Sequence, residues 1–483
     1  MLQVRKESVT TANDAVQNDT GFYNTRLVSN DRYVRQQLTY TNRLRVSKAL
    51  QLTFRHSADY APQEFHFLPP VYKPDLYISN VQKAAFRKQT YGFQGSLLGN
   101  TPKSKYALSS GATWRTLRFR SGLGAEGQGG LQYPEDFLNK LKYDQRTLFA
   151  NGQYRFKLGR FKFTPQASLS YLSQIRNDQA TDSCSHQHDI LLEPSLGASY
   201  TISNTAALSL NGGYRQKSAN EEELISQPVY LSTRLVRSNE PVLAILKSKT
   251  VSLSYIVANL YKQFQLTVLT GFLHTRGAFL PDLKLGPSST TIQYRYVDVP
   301  TKSIIANANV EKYLPGLEGT IKVKTAYSGQ LYRNILNGSM LRENRLANKS
   351  AGLFFKTAFD GKINFQNSVD YTQVSVQSGG KKVFSIESLT NNFQVIVKPT
   401  KAMFLLLNTD YYVPDLSKRS GLLFIDIEAR LRPKAKLYSM SLRAHNLLNH
   451  TQLSRIETTD YSKSFSATGL LPRSIVFRIS RSF

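Results

Sequence analysis

The stretch Leu471-Pro472-Arg473-Ser474-Ile475-Val476-Phe477-Arg478-Ile479-Ser480-Arg481-Ser482-Phe483 decides how this chain folds. Side chains of an extended strand alternate between two faces, so Ile475, Phe477, Ile479 and Phe483 share one face. Ser474, Arg478, Ser480 and Ser482 share the other. A soluble domain has little use for an aromatic strand that stops without a tail. A sheet closed on itself in a membrane does, because its final strand pairs with its first.

Composition narrows the alternatives. The 483 residues include 27 Tyr and 26 Phe, one Trp and one Cys. Tyr and Phe favour strands and suit the girdles where a barrel meets lipid headgroups. Mean hydropathy is −0.35, and no uninterrupted apolar run reaches the roughly eighteen residues a helical span needs. A single cysteine excludes an intrachain disulfide framework. The formal charge of +29 does not read as a nucleic-acid footprint, because the cations neither share one helix nor form a tail. Many sit in short turns: Arg43, Arg45 and Lys48; Lys157, Arg160 and Lys162; Arg432, Lys434 and Lys436. Turns facing the periplasm would border anionic headgroups, an attraction of about 1 kcal/mol per cation. Residues 1–30 are polar and show no signal-peptide pattern. They read as a partial loop or remnant strand at a truncated start, with residues 31–483 as the barrel.

The alternation recurs upstream in hairpins. Leu353, Phe355 and Phe359 lead to Asp360-Gly361-Lys362, and Ile363, Phe365, Val369 and Tyr371 lead away, a strong hairpin signal. Asn364, Gln366, Ser368 and Asp370 occupy the opposite face. Short links near 44–48, 99–104, 157–162, 202–206, 258–262, 312–317, 359–363, 398–402 and 431–437 alternate with longer segments. The longer ones lie near 61–87, 122–143, 176–190, 217–249, 276–292, 333–345, 376–383, 412–421 and 446–470. This rhythm predicts an all-β fold, a transmembrane antiparallel β-barrel with short periplasmic turns and long outer loops. Roughly nineteen to twenty strands are visible. The first clear one, near 32–44, runs inward, which puts residues 1–30 outside the cell.

Several landmarks carry a resemblance. Asn446-Leu447-Leu448-Asn449, Leu471-Pro472-Arg473, Asn239-Glu240-Pro241-Val242-Leu243, Val310-Glu311-Lys312-Tyr313-Leu314 and Asn337-Gly338 resemble landmarks of the TonB-dependent receptor-like outer-membrane barrels of Bacteroidota. The similarity covers most of residues 200–483. It implies about twenty-two strands, a Gram-negative outer-membrane location, and nutrient uptake through a plugged, TonB-energised barrel. It also implies contact with outer-membrane lipid and lipopolysaccharide, and a surface lipoprotein as a partner. Ile475, Phe477, Ile479 and Phe483 would then form the signal read by the barrel assembly machinery. Signal peptide, plug and TonB-contacting box are not visible in this sequence, so the resemblance extends to the barrel part. A plugless porin-like channel and a structural or surface-assembly barrel stand as the other two readings.

The most chemical-looking cluster is Cys184-Ser185-His186-Gln187-His188-Asp189. Thiolate, imidazole and carboxylate suit zinc or copper, which makes Cys184, His186, His188 and Asp189 a candidate metal set. The segment falls in an expected outer loop, where exposed His and Asp are ordinary. Glu221-Glu222-Glu223 reads either as a divalent-cation site or as a solvated acidic loop. No Gly-x-Ser-x-Gly elbow or carboxylate dyad stands out, so neither an enzyme nor a cofactor is expected.

Overall fold

The computed structural model describes residues 2–18, 21–286, 289–418, 421–432, 438–461 and 463–481, with side chains from Thr25 onward except 454–458 and 463–466. The first strands are β1 (Leu2–Asn18), β2 (Gly21–Arg45), β3 (Lys48–Leu68), β4 (Ser79–Asn100) and β5 (Ser104–Gly127). After the short β6 (Gly130–Gln132) come β7 (Asn139–Leu158), β8 (Phe161–Asp178), β9 (Ser183–Ser203) and β10 (Ala206–Ser218). Two short strands, β11 (Val229–Ser232) and β12 (Leu235–Asn239), interrupt the longest outer loop. Then follow β13 (Ile245–Asn259), β14 (Phe264–Leu285), β15 (Thr290–Leu314), β16 (Gly319–Leu336), β17 (Arg342–Thr357) and β18 (Ile363–Ser378). The last staves are β19 (Lys381–Thr400), β20 (Met403–Val413), β21 (Leu422–Leu431), β22 (Tyr438–His445) and β25 (Ser474–Arg481). A separate hairpin, β23 (Gln452–Thr458) with β24 (Lys463–Gly469), decorates the final outer loop.

Among the described residues, twenty-three strands share one sheet. Leaving aside β6, β11 and β12, each stave pairs antiparallel with the next along the chain. Among the described residues no helix is long and apolar enough to cross a membrane. The structure is therefore a barrel-like antiparallel sheet of staves joined as a chain of hairpins.

Three expectations need correction. Leu2–Asn18 is a full strand, in register with β2 from Leu2↔Gln36 to Asn18↔Gly21. It runs from the level of Gln36, mid-way along β2, toward Gly21. Among the described residues no ladder joins β1 to β25. Hairpin register is set locally by each turn, whereas closure needs the register of the whole sheet to come round. Finally, several expected long loops are tight turns. Only residues 179–182 separate β8 from β9, and Gly379 and Gly380 separate β18 from β19. Beyond the apolar belt both faces of a strand are polar, so the period-two signal fades while the backbone ladder continues.

The two faces are distinct. On β5, Leu108 and Trp114 are about half exposed, with Phe93 on β4 and Leu148 on β7 beside them. Exposed apolar side chains from neighbouring strands form a belt suited to hydrocarbon. On the opposite face Ser109, Asn151, Gln153, Gln166 and Ser168 line a polar cleft with Arg215 and Lys217. Ile475, Phe477 and Ile479 lie on the apolar side, opposite Ala444, Leu442 and Met440, and are strongly exposed. Phe483 lies outside the described residues, as do Lys434 and Lys436.

Candidate functional site

The inner wall changes character toward the loop end. Along β5 the outward face runs Leu108, Trp114, Arg118, Arg120, while the inward face runs Ser109, Thr113, Leu117, Phe119, Leu123. The apolar phase switches sides between Trp114 and Leu117. The same switch occurs on β7, where Leu148 points outward but Tyr143 and Leu141 point inward. Leu117, Phe119, Leu141 and Tyr143 are nonetheless buried. What covers them is the long outer loop, residues 219–244, which folds inward.

Ala219 and Leu224 of the loop join Leu117, Phe119, Leu141 and Tyr143 in one cluster. Leu224 is fully buried, worth about 1.5–3 kcal/mol for a side chain of its kind. A second cluster gathers Tyr230 and Val236 with Phe67, Leu123 and Phe137. Phe137, from the loop after β5, stacks on Tyr230 at 5.8 Å, and Tyr72, from the loop after β3, packs edge-on to Phe137 at 5.1 Å. Three outer loops thus meet at Tyr230. Burial, with Tyr72 nearby, pushes the Tyr230 phenol up to about 12.

Polar groups fix the register of this lid. Gln82 on β4 binds both backbone groups of Tyr230, and Asn139 on β7 binds both backbone groups of Gln227 (3.0 and 3.3 Å). A buried amide can satisfy a peptide N–H and C=O together, replacing the strand partner the loop lacks. Arg176 on β8 donates to the Leu224 carbonyl at 3.1 Å and pairs with Asp178 at 2.8 Å. Asp178 also accepts from the Ser226 hydroxyl. Arg176 and Asp178 are almost wholly buried.

The three glutamates do not converge. Glu221 is held by Lys88 at 2.8 Å and Arg115 at 3.3 Å, both on the inner wall. Glu222 pairs with Arg237 at 3.0 Å, and Glu223 accepts from the Asn220 backbone N–H at 2.6 Å. Glu221 anchors the lid to the wall, whereas Glu222 and Glu223 tie residues within the lid, and the three do not form a common cation site. Asn239, from the Asn239-Glu240-Pro241 landmark, donates to the carbonyls of Glu222 (2.7 Å) and Ile225 (2.6 Å). At the far side β12 adds in parallel to β15, Leu235↔Thr290 to Asn239↔Tyr294, and Arg237 lies over the Tyr294 ring at 4.7 Å.

The final outer loop also reaches inward. Buried Asp460 accepts from Tyr332 (3.0 Å) and Asn334 (2.8 Å) on β16 and lies 3.4 Å from Arg342 on β17. The Asn446-Leu447-Leu448-Asn449 landmark ties the base of this loop. Asn446 and Asn449 take left-handed backbone angles, which Asn tolerates better than most residues. Asn446 donates to the carbonyls of His450 and Leu471, and Asn449 accepts from the Arg473 N–H.

The candidate metal set is split. Cys184, His186 and His188 lie on β9, not in a loop, and face outward with Ile190. Asp189 faces the interior, opposite Leu172. Cys184 Sγ is 3.2 Å from His186 Nε2, while His188 Nδ1 is 3.2 Å from the Tyr171 hydroxyl. No group of three or more His, Cys, Asp or Glu residues suited to a metal occurs among the described residues.

The chain matches no protein-family model and no curated protein. Among solved structures it is similar to the copper transporter OprC, with a TM-score of 0.48 at 10% identity over 100% of this chain and 83% of that one. It is similar to the ferric citrate transporter FecA in the unliganded form (TM-score 0.44, 10% identity, 98% and 74% covered). It is also similar to BauA, the ferric preacinetobactin receptor from Acinetobacter baumannii (TM-score 0.42, 10% identity, 99% and 80% covered).

Proposed function

We propose that this chain is the barrel portion of an outer-membrane receptor-type transporter for nutrient uptake, with the lid at 219–244 controlling its outer mouth. The observation that carries the reading is the lid itself. It is fastened to the inner wall by the Gln82 and Asn139 clamps and by the Glu221 ion pairs. Seated, the loop covers the mouth, and lifting it would open the mouth, the kind of two-state element that admission control uses. In this reading residues 31–483 carry the barrel and residues 1–30 form its leading edge. The TonB dependence and the Bacteroidota-like character rest on the sequence landmarks, as does a surface lipoprotein partner. Ile475, Phe477, Ile479 and Phe483 serve as the assembly signal.

A passive porin-like channel is the second reading, favoured by the polar cleft around Ser109, Asn151 and Gln166 with Arg215 and Lys217. Single-channel recording in planar bilayers separates the two. The receptor reading predicts a nearly silent wild type and large, steady conductance once residues 219–244 are replaced by a short Gly-Ser link. A wild type that already conducts at that level supports the passive channel.

A further inference from the structure

On the outward face of β4, β5 and β7, the register builds a ladder of cations above the apolar belt. Arg87, Arg118 and Lys142 are direct cross-strand partners, and one step higher Arg120 is opposite Lys140. All five are exposed. Like charges directly opposite each other destabilise a sheet. Lys142 has Asp144 at 3.3 Å, but none of the described residues gives Arg87, Arg118, Arg120 or Lys140 a carboxylate within ion-pair reach. Five cations with one acid among them form a site whose counter-charge comes from outside the protein.

What lies beneath names the chemistry. Two rows down, past Gln89, Thr116 and Asp144, Tyr91, Trp114 and Arg146 are partners, with the Arg146 guanidinium over the Trp114 ring at 5.3 Å. Below them Phe93, Ala112 and Leu148 align, and the small Ala112 leaves a shallow apolar groove between Phe93 and Leu148. From Tyr106 to Trp114 the outward belt of β5 spans roughly 19–22 Å along the barrel axis, at the usual strand rise and tilt. That is about one hydrocarbon thickness of a barrel, so the cations stand at headgroup height on the loop side. The phase switch between Trp114 and Leu117 marks the same level.

We infer that this face is a docking site for a phosphate-bearing, multiply acylated lipid of the outer leaflet. Phosphates would lie on Arg87, Arg118, Arg120, Lys140 and Lys142, and an acyl chain would lie in the groove at Ala112, between Phe93 and Leu148. Guanidinium groups bind phosphate through paired N–H donors, and no phosphate need be desolvated deeply at this exposed ledge. The inference rests on the membrane-embedded reading of the barrel, and on no feature of the lid.

The test uses the full chain refolded in detergent, with bisphosphorylated lipid A as probe and thermal stability plus native mass spectrometry as readouts. Wild type should retain lipid A and gain stability from it. The double variant Arg118→Gln/Arg120→Gln should bind about thirty-fold more weakly, the loss expected for two cations at a charged surface. Without lipid it should be no less stable than wild type, since the like-charge contacts are relieved. Arg87→Gln alone, a milder change, should show the same pattern at smaller size. Equal retention by the variants, equal binding of dephosphorylated lipid A, or full competition by inorganic pyrophosphate would each overturn the proposal, the last by showing that free phosphate suffices. Failure of the wild type to fold in detergent at all would instead strike the barrel reading beneath it.

Discussion

Gln82 and Tyr230 stand 148 positions apart, yet the Gln82 side chain donates to the Tyr230 carbonyl at 2.9 Å and accepts from its N–H at 2.7 Å. One wall residue thereby holds one lid residue as a neighbouring strand would. Gln82→Ala strands both backbone groups, at about 1–3 kcal/mol for each group left unsatisfied. Amide exchange at residues 229–232 should accelerate by tenfold or more. The mobility of the unboiled protein on a denaturing gel should stay that of a folded barrel.

Glu221 sits between Lys88 and Arg115. Glu221→Gln leaves those two cations uncompensated at the mouth. Any residual conductance should move toward anions, read as a shift in reversal potential under a salt gradient. The lid should also lift more often. Unchanged selectivity with unchanged lid protection would show that Glu221 is not its anchor.

Arg176 and Asp178 form the most buried ion pair described. Removing one partner of such a pair costs about 3–5 kcal/mol, because the other is left charged and dry. Asp178→Asn and Arg176→Met should each release the lid, seen as new protease cleavage between residues 219 and 244. The double variant Arg176→Met/Asp178→Leu should recover much of the protection, since it leaves no orphaned charge.

The Tyr230 phenol supplies a pH dependence. Burial disfavours the phenolate and pushes its folded pKa up to about 12, above the ordinary phenol value of 10.0. A raised folded pKa gives stability that is fully present below the unfolded pKa and lost as pH rises through the folded one. Lid protection should therefore be flat below pH 10 and decline between 10 and about 12. Tyr230→Phe should lack that decline.

The staves were legible because membrane crossing imposes a strict two-residue code, as in Ile475, Phe477 and Ile479 against Ser474, Arg478 and Ser480. The turns were legible because short links such as Asp360-Gly361-Lys362 are locally encoded. The lid was not. Glu221-Glu222-Glu223 looks like any solvated run until Lys88 and Arg115, more than a hundred positions away, are brought beside it. A signal did exist in the switch of apolar phase from Leu108 and Trp114 to Leu117 and Phe119, since inward apolar residues need a cover. The alternation that places His186 and His188 together sends Asp189 to the opposite face, so the four residues of the candidate metal set do not converge.

Residues 108–119 of β5 test the whole account. Single nitroxide labels placed there in a reconstituted bilayer can be read for collisions with oxygen, which partitions into lipid, and with a water-soluble nickel chelate. Labels at 108, 112 and 114 should be open to oxygen, and those at 109 and 113 to nickel. Labels at 117 and 119 should be shielded from both by the lid. Uniform access to nickel along the strand, or nickel access at 117 and 119 equal to that at 109, would contradict it.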